Sequence, residues 1–360
     1  MAPDLFIRTS RSVFRAFCAA ALGLAALSSI GRAEPLAVAQ PSITDRSYIR
    51  ADRLVDLGGG RMMNIRCRGV GSPAVIFDAG LGDDSTTWAL VQPSVAQTTQ
   101  ACSYDRAGLG FSDGSTAPST AANNVRDLHS LLKAARIEPP YVLVGHSTAG
   151  MYLRVFADQY YAEVAGMVLV ESSHEDQSVR GWTIGSPRQK EKWDAYLEDS
   201  GECVVRAREG LVKGTAAHDK CVDPPDEHFS IDINDARATV MASLRWQAAS
   251  DSERRAIFYA SAEETRATRK RYDDLPLIVL THSPYPKRED ETQAERDKRT
   301  LLWESLHTEL AAMSTRGINV IVPNTGHYIQ YERPQVVIDA VRQAIVLARK
   351  GAGAPAEGSD

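Results

Sequence analysis

The sequence predicts an α/β protein with a mostly parallel central sheet covered by helices on both faces. Two observations carry this. Short apolar runs, of the length buried strands have, recur along the chain. Segments with helical spacing separate them, so strand and helix alternate as crossover connections require.

In chain order, residues 61–67 (RMMNIRC) read as a first strand. Pro73 introduces a second, Ala74–Asp78, and the glycine-bearing turn Ala79-Gly80-Leu81-Gly82 follows it. A helix is expected over Thr87–Gln97. Ala101–Asp105 is the next strand, ending in Asp105-Arg106-Ala107-Gly108-Leu109-Gly110, where Asp105 and Arg106 read as residues that close a turn. Ala121–Ala135 puts Val125, Leu128, Leu131 and Leu132 on one helical face, and Pro139-Pro140 stops it. Tyr141–Val144 is a strand that breaks off sharply, and Met151–Tyr160 continues as a helix. Gly166–Glu171, Leu277–Thr281 and Ile318–Val322 complete the strands.

Two stretches leave the alternation. Ser172–Asp274 carries no clear strand and reads as a helical insertion. Its Trp182, Trp193 and Trp246 either line a substrate pocket or form the insertion's own core. The mixed-charge run Lys287–Arg299 opens a helix with a solvated face and a buried stripe of Leu302, Leu306, Leu310 and Met313. The expected organisation is a signal peptide over 1–33, a linker over 34–54, a core in two parts (55–171 and 275–348) around an insertion at 172–274, and a disordered tail at 349–360.

Composition bounds the function. The chain has 360 residues and a net charge of −5, with no basic stripe, which argues against nucleic acid as a partner. Arg8, Arg11 and Arg15 precede the apolar run Ala16–Ile30, and Gly31-Arg32-Ala33 supplies small residues for a cut after Ala33. That run is short for a membrane span, so it reads as a secretory signal, with no span in the mature form. Removing residues 1–33 takes away four arginines and one aspartate, and −5 becomes −8. Cys18 lacks a lipoprotein context. The mature chain keeps Cys67, Cys102, Cys203 and Cys221, an even set that points to disulfides in a periplasmic or secreted protein. Three pairings are possible. Metal binding is disfavoured because no metal-ligand spacing accompanies them.

The stretch YVLVGHSTAG (141–150) holds Ser147 at the apex of a strand-to-helix turn. Such a turn needs small neighbours, here Gly145 and Ala149, and it aims the serine away from the backbone. A serine hydroxyl needs a base, and histidine suits neutral pH. His146 points away from its neighbour and reads as structural. His129 and His307 lie in helices, and His218 and His228 lie in the insertion. His327, in the loop after the last strand, is the expected base.

The segments VGHSTAG, FDAGLGDDSTTW, YDRAGLGFSD and NTGHYIQYERP, in that order, resemble those of the α/β-hydrolase superfamily, and the resemblance covers about Val55 to Val346. It implies the α/β-hydrolase fold with a helical cap, Ser147 as nucleophile, and His327 as base. The strand of Cys67 should then lie antiparallel beside that of Cys102, which pairs these two. Cys203 and Cys221, both in the insertion, make the second pair. The usual triad acid follows the strand Leu277–Thr281, but the loop His282-Ser283-Pro284-Tyr285-Pro286-Lys287-Arg288 has none before Glu289 and Asp290. Some members place it after the preceding strand, where Glu171 stands. Glu171 is therefore the expected acid, ahead of Asp176 and Asp290. A carboxylate that ends an apolar strand is costly unless paired, which itself points to a partner such as His327. Backbone N–H groups of Thr148 and Leu81 are the expected oxyanion hole, although the turn lacks the family's usual histidine. The resemblance implies a serine hydrolase acting on a small-molecule carboxylic ester, with no metal or organic cofactor. Amidase or aminopeptidase, lactonase and thioesterase activities stay open, as do a non-catalytic ligand-binding protein on this scaffold and a cofactor-free lyase. A serine at the elbow argues against dehalogenase or epoxide-hydrolase chemistry, which uses an aspartate.

Overall fold

The computed structural model describes residues 42–184, 188–289 and 291–352. The signal-peptide reading lies outside them, as does the expected tail beyond residue 352; residues 349–352, expected to open that tail, instead continue the C-terminal helix. Eight strands form one sheet: β1 Arg53–Asp56, β2 Met62–Arg68, β3 Ala74–Asp78, β4 Ala101–Tyr104, β5 Tyr141–His146, β6 Val164–Val170, β7 Leu277–His282 and β8 Gly317–Val322. Their order is β1-β2-β4-β3-β5-β6-β7-β8. β2 runs antiparallel to both its neighbours, and the rest of the sheet is parallel.

The helices are α1 Gln92–Val95, α2 Ala121–Ala135, α3 Ala149–Gln159, α4 Gln177–Ile184, α5 Arg188–Glu209, α6 Ala216–Cys221, α7 Ile231–Met241, α8 Leu244–Ile257, α9 Ala260–Arg266, α10 Gln293–Ala311, α11 Ile329–Glu332 and α12 Pro334–Ala352. Alternation along the strands explains their continuous apolar runs. Ile76, Leu143, Leu169 and Val279 face the core shared with α2, α3 and α10. Val75, Val144, Val170 and Leu280 face the core shared with α1 and α12. Both faces of β3 to β7 are therefore dry, whereas the edge strand β8 leaves Ile318 and Ile321 exposed.

Helices α4–α9 stand between β6 and β7. They rest on the core where α9 meets α2 and α3 and where α4 meets α10. Trp193 is buried against Phe258, and Trp182 meets the edge of the same ring. Trp246 is buried with Leu109, Val222 and Met241. Trp193 and Trp182 thus pack the insertion onto the main core, and Trp246 packs it against Leu109.

Several details differ from the sequence expectation. The helix expected over Thr87–Gln97 splits into a 3-10 turn, Ser85–Trp88, and the short α1, which has Pro93 near its start. Strand β1 is unsignalled in the pattern because three of its four residues face solvent. Within the expected linker, Ile43 bridges to Phe229 and Arg46–Ile49 forms a 3-10 turn against α7. Of the expected α10 stripe, Leu306 and Leu310 are buried within the helix, whereas Met313 lies beyond its end.

Cys67 and Cys102 face each other across β2 and β4 and are disulfide-bonded. Cys203 of α5 and Cys221 of α6 form the second bridge, 18 residues apart in sequence. Loop closure of this size is worth about 3 kcal/mol. Replacing Cys203 and Cys221 together with alanine should therefore lower the urea-unfolding free energy by about 3 kcal/mol. A loss below about 1 kcal/mol would show that the bridge constrains the unfolded chain little.

Candidate active site

At the end of β5 the backbone turns through Ser147, whose φ of 54° lies in the left-handed region. Such a conformation costs about 1–3 kcal/mol for a residue with a side chain and persists only where neighbours enforce it. Here they do. Ser147 N donates to Val170 O at 3.0 Å, and its carbonyl accepts from Ser173 N at 2.8 Å and Gly150 N at 3.0 Å. Helix α3 starts directly behind, with Thr148 as its N-cap. The requirement for small residues falls on Gly145 and Gly150. A Cβ on Gly145 would come within 2.8 Å of Leu153 Cδ1, and one on Gly150 within 1.9 Å of Ser172 Oγ. Ala149, expected to fill the second role, is fully buried, and Gly150 after it makes a further close approach. The buried Ser147 Oγ has no hydrogen-bond partner among the described residues.

One strand over, β6 stops at Val170, and Glu171 takes the same unusual conformation, with φ 49°. Its carboxylate is fully buried and gathers donors from three elements. Oε1 accepts from His282 N at 2.7 Å and from Trp303 Nε1 at 3.1 Å. Oε2 lies 3.4 Å from His327 Nδ1. It also lies 2.6 Å from His282 Nδ1, a close charge contact whose angle falls short of an aligned hydrogen bond. Burial alone would raise the Glu171 pKa. His282 first, then His327 and His307, outweigh it and hold the carboxyl well below its ordinary range. Asp176, the other candidate among the described residues, does not converge here. Asp176 pairs with Arg266, and Asp290 lies outside the described residues.

His327 follows β8 in a loop tied at two points. Gly326 N donates to the Glu332 carboxylate at 3.0 Å. The His327 carbonyl accepts from His146 Nε2 at 2.9 Å, and the two rings stand 4.7 Å apart. His146 is thus a spacer between the elbow and this loop. Burial, followed by the nearby His327, pushes its pKa far down, so it stays neutral. Among the rings around Glu171, His282 and His307 are 2% and 0% exposed, whereas the His327 side chain is 13% exposed. Of these three, His327 is the ring a ligand can reach.

The turn after β3 is fixed from below. Arg106, fully buried, donates to Asp78 Oδ1 (2.7 Å), Ala79 O (2.7 Å) and Gly80 O (2.6 Å), and to both oxygens of Glu253 on α8. Glu253 Oε2 in turn accepts from Gly82 N at 2.9 Å. Asp105 braces the neighbouring loop, accepting from Ser85 N, Asn64 Nδ2 and Phe111 N. Both residues are therefore structural, as their place beside Gly108 and Gly110 implies. Gly80 lies so close to His146 that a Cβ would sit 2.8 Å from Nδ1. No hydrogen bond among the described residues uses the N–H of Thr148 or of Leu81.

Sequence reasoning did not single out His282, Trp303, His307 or Glu253. His282 left a signal: it ends an apolar strand just as Glu171 does. The α10 residues left none, because a tryptophan and a histidine in a charged helix read as ordinary packing. No group of three or more His, Cys, Asp or Glu side chains among the described residues is arranged to hold a metal. A cavity of about 460 Å³ within the insertion is lined by Lys213, Val222, Arg237 and Met241 among others, and by none of the residues at the elbow.

The sequence profile of the alpha/beta hydrolase family matches residues 75–340. An uncharacterized protein, YqjL, of Bacillus subtilis is 24% identical over 270 residues, covering 75% of this chain and 82% of its own. An AB hydrolase superfamily protein of Gibberella zeae is 22% identical over 294 residues, covering 77% and 87%. Among solved structures, a loop variant of the haloalkane dehalogenase DbeA from Bradyrhizobium elkanii aligns with a TM-score of 0.62 at 16% identity, over 84% of this chain and 99% of that one.

The buried ionisable groups predict the pH dependence of stability. Burial holds His146 and His307 below the ordinary imidazole range and pushes His174 down to about 4. Glu171 and Glu175 are held below the carboxylate range, the latter because Arg154 outweighs burial. Each group binds fewer protons folded than unfolded, so stability rises with pH. The histidine share is complete above about 6.5 and is lost as pH falls through the folded values. For His174 that window runs down to about 4. The carboxylate share is complete above about 4.3 and is lost below that. Urea midpoints should hold near pH 7.5, fall from about pH 6.5 downward, and fall less steeply in His307→Gln. A flat profile from pH 7.5 to 5 would contradict these assignments.

Proposed function

The chain belongs to the alpha/beta hydrolase family, and from that premise we propose that it is an exported serine hydrolase cleaving carboxylic esters through an acyl-enzyme. Ser147 Oγ attacks the ester carbonyl carbon while its proton passes to His327 Nε2. The carbonyl oxygen becomes an oxyanion held by the N–H groups of Thr148 and Leu81. The intermediate collapses, the C–O bond to the alcohol breaks, and His327 returns the proton to the leaving oxygen. Water then repeats the sequence, giving up a proton to the same imidazole and releasing the acid and Ser147. Glu171 keeps the Nδ1–H tautomer of His327 and stabilises the imidazolium.

The observation that carries the reading is the convergence at the ends of β5, β6 and β8. Glu171 Oε2 faces His327 Nδ1, and the His327 loop is hydrogen-bonded to the residue preceding Ser147. The 3.4 Å separation is long, as is common for catalytic hydrogen bonds before substrate binds. A serine at the elbow supports acyl transfer. The likeness to a haloalkane dehalogenase, at 16% identity, concerns the fold. Helices α4–α9 act as a cap that sets specificity. Two disulfides fit an oxidising compartment, and no helix among the described residues is long and apolar enough to cross a membrane.

A fluorophosphonate probe should label the wild type at Ser147, leave Ser147→Ala unlabelled, and label His327→Ala far more slowly. With nitrophenyl esters of graded chain length, Glu171→Gln should lower kcat by about 10⁴-fold, the cost of losing the orienting acid. Asp176→Asn, at a partly exposed residue paired with Arg266, should stay within about threefold of wild type, and Asp290→Asn is expected to do the same. Unlabelled wild-type protein, or a Glu171→Gln variant within tenfold of it, overturns the reading.

A further inference from the structure

At the end of β7, where a carboxylate was sought and not found, stands His282. It closes on Glu171 from two atoms. The backbone N donates to Oε1 at 2.7 Å, and ring Nδ1 reaches Oε2 at 2.6 Å. Oε2 is also the oxygen facing His327, whose Nδ1 is the more distant at 3.4 Å. One carboxylate oxygen therefore serves two imidazoles.

We propose that His282 is a positioning residue for the reaction: by sharing Oε2 of Glu171 with His327, it fixes the carboxylate and sets the pH at which activity fails on the acid side. The proposal rests on the triad of the preceding section. A proton on His282 Nδ1 stabilises the Glu171 anion and competes with His327 for it. The anion is then a weaker partner for the imidazolium that forms on His327 when Ser147 loses its proton. Taking His282 away leaves Glu171 more basic. His327 then holds its proton to higher pH, and the deprotonated base is lost sooner on acidification.

The surroundings leave His282 well placed for this. Its ring is 2% exposed and meets the Tyr285 ring edge-on at 4.3 Å, and the Arg299 guanidinium covers the far side of Tyr285 at 4.3 Å. From α10, Trp303 Nε1 donates to both Glu171 oxygens, while His307 spends Nε2 on Ser172 O and holds Nδ1 against Thr281 Oγ1. Glu304 is engaged by Ser283. His146 faces the His327 carbonyl, away from the carboxylate contact. Of the ionisable groups packed around Glu171, His282 and His327 are the two whose ring nitrogens reach its carboxylate.

The test is the pH profile of kcat/KM on a nitrophenyl ester for wild type, His282→Leu and His282→Asn. Leucine removes the ring donor, whereas the asparagine amide can present an N–H close to where Nδ1 stands. In His282→Leu the acid limb should move up by about one pH unit, so that activity at pH 6 falls about tenfold relative to pH 8.5. In His282→Asn the limb should return most of the way to wild type. If the leucine variant is not recovered folded, His282→Gln replaces it. Its amide lies one bond farther out and should shift the limb in the same direction. A limb that stays within 0.3 unit of wild type in the leucine or glutamine variant, or that moves equally in the asparagine variant, overturns the proposal. Wild-type activity that survives His327→Ala instead overturns the triad, so the two failures are told apart.

Discussion

The site is organised around a charge buried away from solvent. Glu171 carries a fully buried carboxylate at the C-terminal end of the interior strand β6, and an unpaired ion there would cost several kcal/mol. The fold meets that cost with donors from β7, α10 and the loop after β8. None of these is local in sequence; the farthest, His327, is 156 residues away. The buried carboxylate is satisfied only once the second half of the core has packed against the first. The site therefore depends on the complete core. The same argument explains the conformations of Ser147 and Glu171. Each is strained, each ends a strand, and the strands are neighbours. Ser147 N bonds the end of β6, Ser173 N bonds back to Ser147, and Glu171 N bonds the end of β7. The two strained turns brace one another, which is the kind of over-determination such backbone needs.

A second buried charge does for the β3 turn what Glu171 does for the imidazoles. Arg106 binds two carbonyls of that turn and both oxygens of Glu253, and Glu253 binds the turn again through Gly82 N. Because Glu253 lies on α8, the insertion helps hold the turn after β3. Trp246 and Ser250 of the same helix also lie against Gly82. A change in how α8 sits must move the turn that carries Leu81. In the proposed reaction, that couples the packing of the helical insertion to the stabilisation of the oxyanion.

Much of this was legible in the sequence, and the reasons are physical. Parallel strands buried on both faces must be apolar throughout, so they stand out as short runs. A strand-to-helix turn demands small residues and leaves a recognisable string around Ser147. An acid ending an apolar strand is conspicuous because it is costly, and the structure brings Glu171 to His327. The parts that could not be read are those whose meaning comes from a distant partner. Trp303 and His307 sit in a helix whose charges dominate its sequence, and nothing local says that its inner face meets a carboxylate. Strand β1, mostly solvent-facing, has no apolar run to betray it. A further steric demand at the elbow is set by Ser172, beyond the end of another strand, and falls on Gly150.

His282 belongs between these cases. Its position was noticed for lacking an acid, yet the residue that fills it is chemically the complement of one. With the carboxylate moved to the end of β6, the end of β7 lies beside it, and a second carboxylate there would repel the first across a dry gap. A histidine at that place converts repulsion into a close contact with an oxygen that His327 approaches from farther away. Moving the acid by one strand therefore constrains the vacated place. It must carry a donor, and it must be compact enough to fit beneath Tyr285 and Trp303.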